Sequence, residues 1–362
     1  MKQQKEKNQT LRKLSSERGV LVLAVLSVFS LALFLLVLRF VTRPRPSAAV
    51  AKTQASKEAS STSTPRALLD GLPTLVASSR PVGVMIENHA DARPLSGVAH
   101  ASLVFEAPVE GGITRLLAFF DTSRDVGEIG PVRSARPYYL EWARELDALY
   151  AHVGGSPAAL TALPKLGVHD LDQFFWDGYF RRSQKRVAPH NVYTSVSLLK
   201  QAVSDRLWDS IPQTTSWLFD ERATGTMFFA SEATTATTIT VPFSSGSYKV
   251  VWKWDEEAKK YNRFVGGKAA IDADGEQESA TTIAIVSVKM QVLDEKGRLA
   301  LGVIGSGEAM VFQSGKTIRA EWRKANSKSR LTFYDTDGEE IVWRPGTTWV
   351  EVVPTTLSVT VE

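Results

Sequence analysis

The chain contains no cysteine. That excludes a disulfide framework, a thiolate zinc site, an iron–sulfur cluster and a cysteine nucleophile. An excess of positive charge is also missing from most of the chain. The formal net charge is +4, yet residues 1–66 hold 12 Lys and Arg against 3 Asp and Glu. The other 31 basic and 36 acidic residues leave the rest at −5. A mildly acidic body carries no global electrostatic case for nucleic-acid binding, and no nucleic-acid partner is expected. The 362 residues, 43% hydrophobic and 23% charged, are neither disordered nor collagen-like in composition. Their number suits two domains of roughly 150 residues each.

Charge is absent altogether from GVLVLAVLSVFSLALFLLVL, the 20 residues between Arg18 and Arg39. At 1.5 Å per residue this run reaches about 30 Å, the thickness of a bilayer's hydrocarbon core. Its only polar side chains are Ser27 and Ser30, so it lacks the polar stripe of a globular helix. Arg-Pro-Arg-Pro follows it within a few residues, not a small-residue cleavage site. Residues 1–18 are read as a basic cytoplasmic segment, 19–38 as an uncleaved transmembrane anchor and 39–79 as a disordered Ala/Ser/Thr/Lys-rich linker. The slight excess of basic residues before the run favours the N-terminus inside, making this a single-pass cell-membrane protein with an extracytoplasmic body.

The body has an α+β pattern. Residues 80–222 mix short buried strands (Pro81–Glu87, Ala101–Glu106, Arg115–Asp121, Ala148–Val153) with helical segments at Pro137–Leu146, Pro157–Leu166 and Ser195–Leu207. This is an α/β domain with a central sheet. From 223 to 362 the sequence is β-branched and aromatic, punctuated by Asp274-Gly275, Gly305-Ser-Gly307 and Asp337-Gly338. It reads as an all-β domain, a sandwich or barrel of nine to eleven strands. Each part has apolar runs enough for its own core, which makes the two separable on this reading.

Several blocks are longer than chance allows. RPVGVMIENHADARPLSGVAHASLVFEAPVEGGITRLLAFF, GEIGPVRSARPYYLEWA, YAHVGGSPAAL and RVAPHNVYTS resemble the N-terminal domain of the YerB-like lipoproteins. YNRFVGGKAAID, GVIGSGEAMVFQSGKTIRAEWRKA and GTTWVEVVP resemble that family's C-terminal domain. The resemblance runs in order from about residue 80 to residue 354. It implies a two-domain bacterial cell-envelope protein and no known reaction. A chain without cysteine cannot carry the lipid such proteins use as an anchor, so residues 19–38 take that place.

Four constellations in the N-terminal part carry chemistry. In Glu106-Ala-Pro-Val-Glu110-Gly-Gly-Ile-Thr-Arg115, a sharp Gly-Gly turn brings two carboxylates and a guanidinium to one sheet end. They serve either as acid and base in hydrolysis or as a structural ion pair. Arg133 and Arg136 flank the start of a helix opened by Pro137, suiting a carboxylate or phosphate bidentately, or pairing with Glu106, Glu110 or Asp121. His152-Val-Gly-Gly-Ser156-Pro157 reads first as a helix cap, then as an anion-binding loop, and last as a nucleophile site. Pro189-His190-Asn191 is a restrained loop aimed at a pocket. His152 and His190 lack a third nearby ligand, so neither a metal nor a cofactor is expected.

In an open α/β sheet such loops gather at the strands' C-terminal ends. Glu106, Glu110, Arg115, Arg133, Arg136, His152, Ser156, His190 and Asn191 are therefore expected to line one ligand cleft. The preferred reading is a binding protein for an anionic or polymeric cell-wall ligand, with peptidoglycan, a peptide or an envelope protein as partner. The alternative is a cell-wall glycan or peptide hydrolase using Glu106 and Glu110.

Overall fold

Strand β1 (Val82–Glu87) reads VGVMIE, and every residue in it is buried. A run of this kind needs cover on both faces. In the computed structural model, which describes residues 65–74, 79–223 and 234–362, it has that cover. Val82, Val84 and Ile86 enter one core and Met85 another, the two-residue period of a pleated strand. β2 (Leu103–Pro108) and β3 (Thr114–Phe120) repeat the pattern. Phe105 and Phe119 share the Met85 face, while Val104, Leu116, Ala118 and Phe120 share the other. β4 (Leu149–His152) and β5 (His169–Asp172) extend this sheet in parallel beyond β1.

The helices lie close to where the sequence places them. α1 (Pro137–Glu145) and α2 (Pro157–Leu166) open with proline, whose missing N–H is no loss in a first turn. Ser156 caps α2, its hydroxyl accepting from the Ala159 amide, and Ser195 caps α3 (Val196–Asp205) in the same way through Leu198. α1 and α2 cover the Met85 face, where the Trp142 ring stacks on Phe105 with centroids 4.7 Å apart. α3 covers part of the opposite face through Val196, Leu199 and Ala202.

After residue 234 the described chain is strands, turns and a single short 3-10 turn, so the fold is α+β with an all-β C-terminal part. β6 (Thr238–Pro242), β7 (Lys249–Asp255) and β8 (Lys260–Val265) form the middle of a six-stranded antiparallel sheet. Its inward residues Ile239, Val241, Val250, Trp252, Tyr261 and Val265 pack on the same core as α3.

The remaining long strands are β9 (Thr282–Val288), β10 (Gly305–Gln313), β11 (Lys316–Lys324), β12 (Thr332–Tyr334) and β13 (Thr348–Pro354). They join the N-terminal strands in one mixed, eleven-stranded sheet, ordered β12-β11-β10-β9-β13-β2-β3-β1-β4-β5 with a short strand beside β11. β13 is the joint, parallel to β9 on one side and to β2 on the other.

This connectivity corrects the expectation of two separate cores. Both hydrophobic clusters draw residues from before 222 and after 234, and the described residues from 65 onward form one compact unit. The expected junction near 223 falls beside residues 224–233, and the apolar run 19–38 also lies outside the described residues. Among the described residues no helix is long and apolar enough to cross a membrane.

Candidate functional site

Residues 130–136 cross the ends of β1 and β4. The Glu87 amide donates to Pro131 O, the Arg133 amide to Met85 O, the Val153 amide to Arg133 O and the Ala135 amide to Gly154 O. The guanidinium of Arg133 is thereby set beside the last residue of β1, with its Nε 3.1 Å from Glu87 Oε1. Glu87 is almost wholly buried, and its other oxygen lies 2.7 Å from His190 Nδ1. The His89 ring sits 5.6 Å from that of His190.

The β2–β3 connection supplies the opposite wall. Gly111 and Gly112 take φ of +73° and +70°, a left-handed pair that reverses the chain in one short turn. Glu110, at the start of that turn, accepts a two-pronged contact from Arg136, with Nε to Oε1 and Nη2 to Oε2 both at 2.7 Å. Partial burial works to raise the Glu110 pKa, but the Arg136 fork outweighs it and holds the carboxyl below its ordinary value. Arg115 lies directly across from Glu87 on β3, and its Nη1 donates to Ser134 O at 2.6 Å. Burial first, and then the Arg136 and Arg133 charges, push the Arg115 guanidinium down to about 10.

A cleft of about 370 Å³ opens among these groups, lined by Glu87, His89, Glu110, Arg115, Arg133 and His190 together with Asn88 and Thr114. Arg115 and Arg133 share its lining with Glu87 and Glu110, and Arg136 stands behind Glu110, so the group as a whole holds three guanidiniums against two carboxylates.

Glu110, Arg115, Arg133 and His190 therefore meet as expected, with Arg136 bracing Glu110. The other expected residues stand elsewhere. Glu106 is fully buried behind the cleft, where Oε1 accepts from Asn88 Nδ2 and Thr114 Oγ1, and Oε2 from Arg263 Nη2 at 2.7 Å. Its cationic partner is thus Arg263, not Arg115 or Arg133. His152 is fully buried, with Nδ1 2.7 Å from Gly154 O and Nε2 2.7 Å from Asp170 Oδ1. Ser156 is engaged as the α2 cap, and Asn191 accepts from Arg182 outside the cleft. His152 also ends a strand, but its ring is taken up by Gly154 O and Asp170 and does not line the cleft.

Sequence reasoning passed over Glu87 and Arg263. The signal for Glu87 is the polar triplet Glu-Asn-His ending an apolar run, the pattern that pointed to Glu106. Arg263 betrays itself by alternation: Tyr261, Arg263 and Val265 all face inward on β8, and the guanidinium is held by Glu106 and Glu278, each at 2.7 Å. Glu351 Oε1 completes this buried group by accepting from Trp252 Nε1 at 2.8 Å. A second cleft, of about 510 Å³, borders it, with Asn88, Arg93, Arg263, Lys268 and Glu278 in its lining. Asn88 lines both clefts.

Comparison with known proteins agrees with this architecture. Residues 69–209 match the model described as "Protein of unknown function (DUF3048) N-terminal domain", and residues 239–350 match its C-terminal counterpart. The chain is 31% identical over 295 residues to a Bacillus subtilis (strain 168) protein named "Putative lipoprotein YerB", covering 80% of this chain and 86% of that one. The crystal structure of the YerB protein from Bacillus subtilis superposes with a TM-score of 0.71 at 30% identity, covering 82% of this chain and 99% of the other. With both segments present in order on a shared fold, this chain belongs to the DUF3048 family.

Proposed function

We propose that this is a membrane-anchored, extracytoplasmic cell-envelope protein. On this reading, the cleft at the ends of β1 and β3 binds an anionic group, carboxylate or phosphate, of a cell-wall polymer. The observation that carries the reading is the pairing of Arg115 and Arg133 in the cleft lining, with Arg136 behind them on Glu110, against only two carboxylates; burial and the other two charges depress Arg115 to about 10. An incoming anion relieves that repulsion, and planar guanidinium forks suit an oxyanion. Support for the location comes from the relative's name as a lipoprotein and from the apolar run 19–38, which stands in for a lipid on a chain lacking cysteine.

The hydrolase alternative asks Glu106 or Glu110 to donate a proton. Glu110 is held ionised by Arg136, and Glu106 is sealed beneath Asn88 and Thr114. Glu110 lacks the raised pKa, and Glu106 the access to substrate, that an acid catalyst needs.

The test is co-sedimentation of the protein with purified bacterial cell wall. Pelleting should be well above that of a control protein. It should fall when wall carboxylates are amidated or wall phosphates removed. Pelleting equal to the control, or insensitive to both treatments, would overturn the reading.

A further inference from the structure

A second polar cluster lies apart from the cleft, where the N-terminal and C-terminal parts meet. A short 3-10 turn, Val98–His100, leads toward β2, and a tight turn at Asp272–Glu276 lies beyond β8. The two turns are locked together: the Ala273 amide donates to Leu95 O at 2.7 Å, and the Ala99 amide to Asp272 Oδ2 at 3.0 Å. Between them, one donor atom each of His100, Asp272 and Asp274 lie within 4.8 Å of one another.

Two observations give this cluster a meaning beyond surface acidity. Asp272 is 2% exposed, and its Oδ1 has no hydrogen-bond partner. A buried carboxylate oxygen without a partner is rare in folded proteins and asks for an unseen one. The neighbouring cavity, about 570 Å³, is lined by Asp125, Glu128, Asp274 and His100 without a Lys or Arg. A cation would enter along a path of favourable potential.

We propose that His100, Asp272 and Asp274 bind one divalent metal ion of the zinc or manganese class. One imidazole and two carboxylates leave further positions to water. The imidazole selects against calcium and magnesium, which prefer oxygen alone. His100 Nε2 and Asp274 Oδ2 now stand 2.6 Å apart. Metal–donor bonds of about 2.0–2.1 Å would spread these two atoms to roughly 3.3 Å. The side chains are 42% and 52% exposed, so they are free to open by that amount. The ion would staple two turns 174 residues apart in sequence.

The experiment uses the full chain without a polyhistidine tag, stripped with a chelator and titrated calorimetrically with ZnCl₂, MnCl₂, CaCl₂ and MgCl₂ in turn. Zinc or manganese should bind at one equivalent per chain with Kd at or below about 10 μM, calcium and magnesium about tenfold or more weaker, and the bound ion should raise Tm. His100→Ala and Asp274→Asn change exposed side chains, so they should each weaken binding about tenfold or more while the metal-free Tm moves by less than about 2 °C. Asp272→Asn keeps an acceptor for the Ala99 amide and should weaken binding similarly. The proposal is overturned if wild type binds neither zinc nor manganese, if calcium or magnesium binds as tightly, or if His100→Ala and Asp274→Asn bind like wild type.

Discussion

Glu106 on β2 and Glu351 on β13 stand side by side, in register on adjacent parallel strands, and both are fully buried. Glu106 lies inside the matched N-terminal segment, and Glu351 immediately follows the matched C-terminal one. Arg263 pairs with Glu106 and Glu278, which leaves three buried carboxyls around one fully buried guanidinium. Burying that excess of negative charge favours the protonated form. Burial, and then the Glu106 charge beside it, hold Glu351 well above the ordinary carboxylate range.

That proton has a consequence for pH. An acid whose folded pKa is raised contributes fully below its unfolded pKa of about 4.3, and its contribution is lost as pH rises toward the folded value. Stability should therefore decline above roughly pH 4.5, by up to about 1.4 kcal/mol per pH unit for this group. Glu351→Gln retains an acceptor for Trp252 Nε1 and a donor toward Glu106. Urea unfolding from pH 5 to 8 should give the variant a flatter profile and a higher midpoint at pH 8 than wild type. Parallel profiles would mean that Glu351 ionises freely in the folded state.

A second buried network crosses the same two parts. Glu145 of α1 accepts from Lys324 Nζ at 2.7 Å, from Arg330 Nη1 and from the Leu331 amide. Glu145 and Lys324 have fully buried side chains. Glu145→Gln preserves the shape but leaves two cations uncompensated, and should cost about 3–5 kcal/mol in chemical denaturation. Adding Lys324→Met should recover part of that loss. A Glu145→Gln midpoint within error of wild type would mean water reaches these cations.

The elements were legible because their patterns are local. Six-residue buried runs gave β1 and β2, proline and serine at the first turns gave α1 and α2, and Gly111-Gly112 gave the reversal that carries Glu110. The pairing of β13 between β9 and β2 was not legible, since parallel neighbours 245 residues apart leave no trace in periodicity. The same gap hid Arg263 as the partner of Glu106, and the ion pair Glu87–Arg133 was missed because Glu87 was read only as the end of a strand. Four of the cleft's groups were found from residue type and loop position. His152 and Ser156 share those features but are consumed by packing and capping.

The shared sheet changes what the C-terminal part can do alone. Residues 223–362 without the rest expose one edge of β13 and leave Arg263, Lys324 and Arg330 without Glu106 and Glu145. That fragment should give no cooperative thermal transition by circular dichroism. Co-expression with residues 65–222 should restore one. A cooperative β-type melt of the fragment by itself would contradict a shared core.

For the anchor, the expectation rests on the 20-residue uncharged run and the basic residues before it. Protease added to spheroplasts should digest the body, and the N-terminal sequence of the mature protein should begin before residue 19. Full protection of the body, or a mature protein beginning after residue 40, would contradict the topology.

The most direct test is a paired measurement on Arg133. Arg133→Lys keeps the charge but loses the planar fork, and Glu87 keeps its contact with His190. Co-sedimentation with purified cell wall should fall by roughly tenfold, while Tm moves by less than about 2 °C. Unchanged wall binding with a Tm loss of several degrees would make Arg133–Glu87 a structural ion pair and leave the cleft without its ligand.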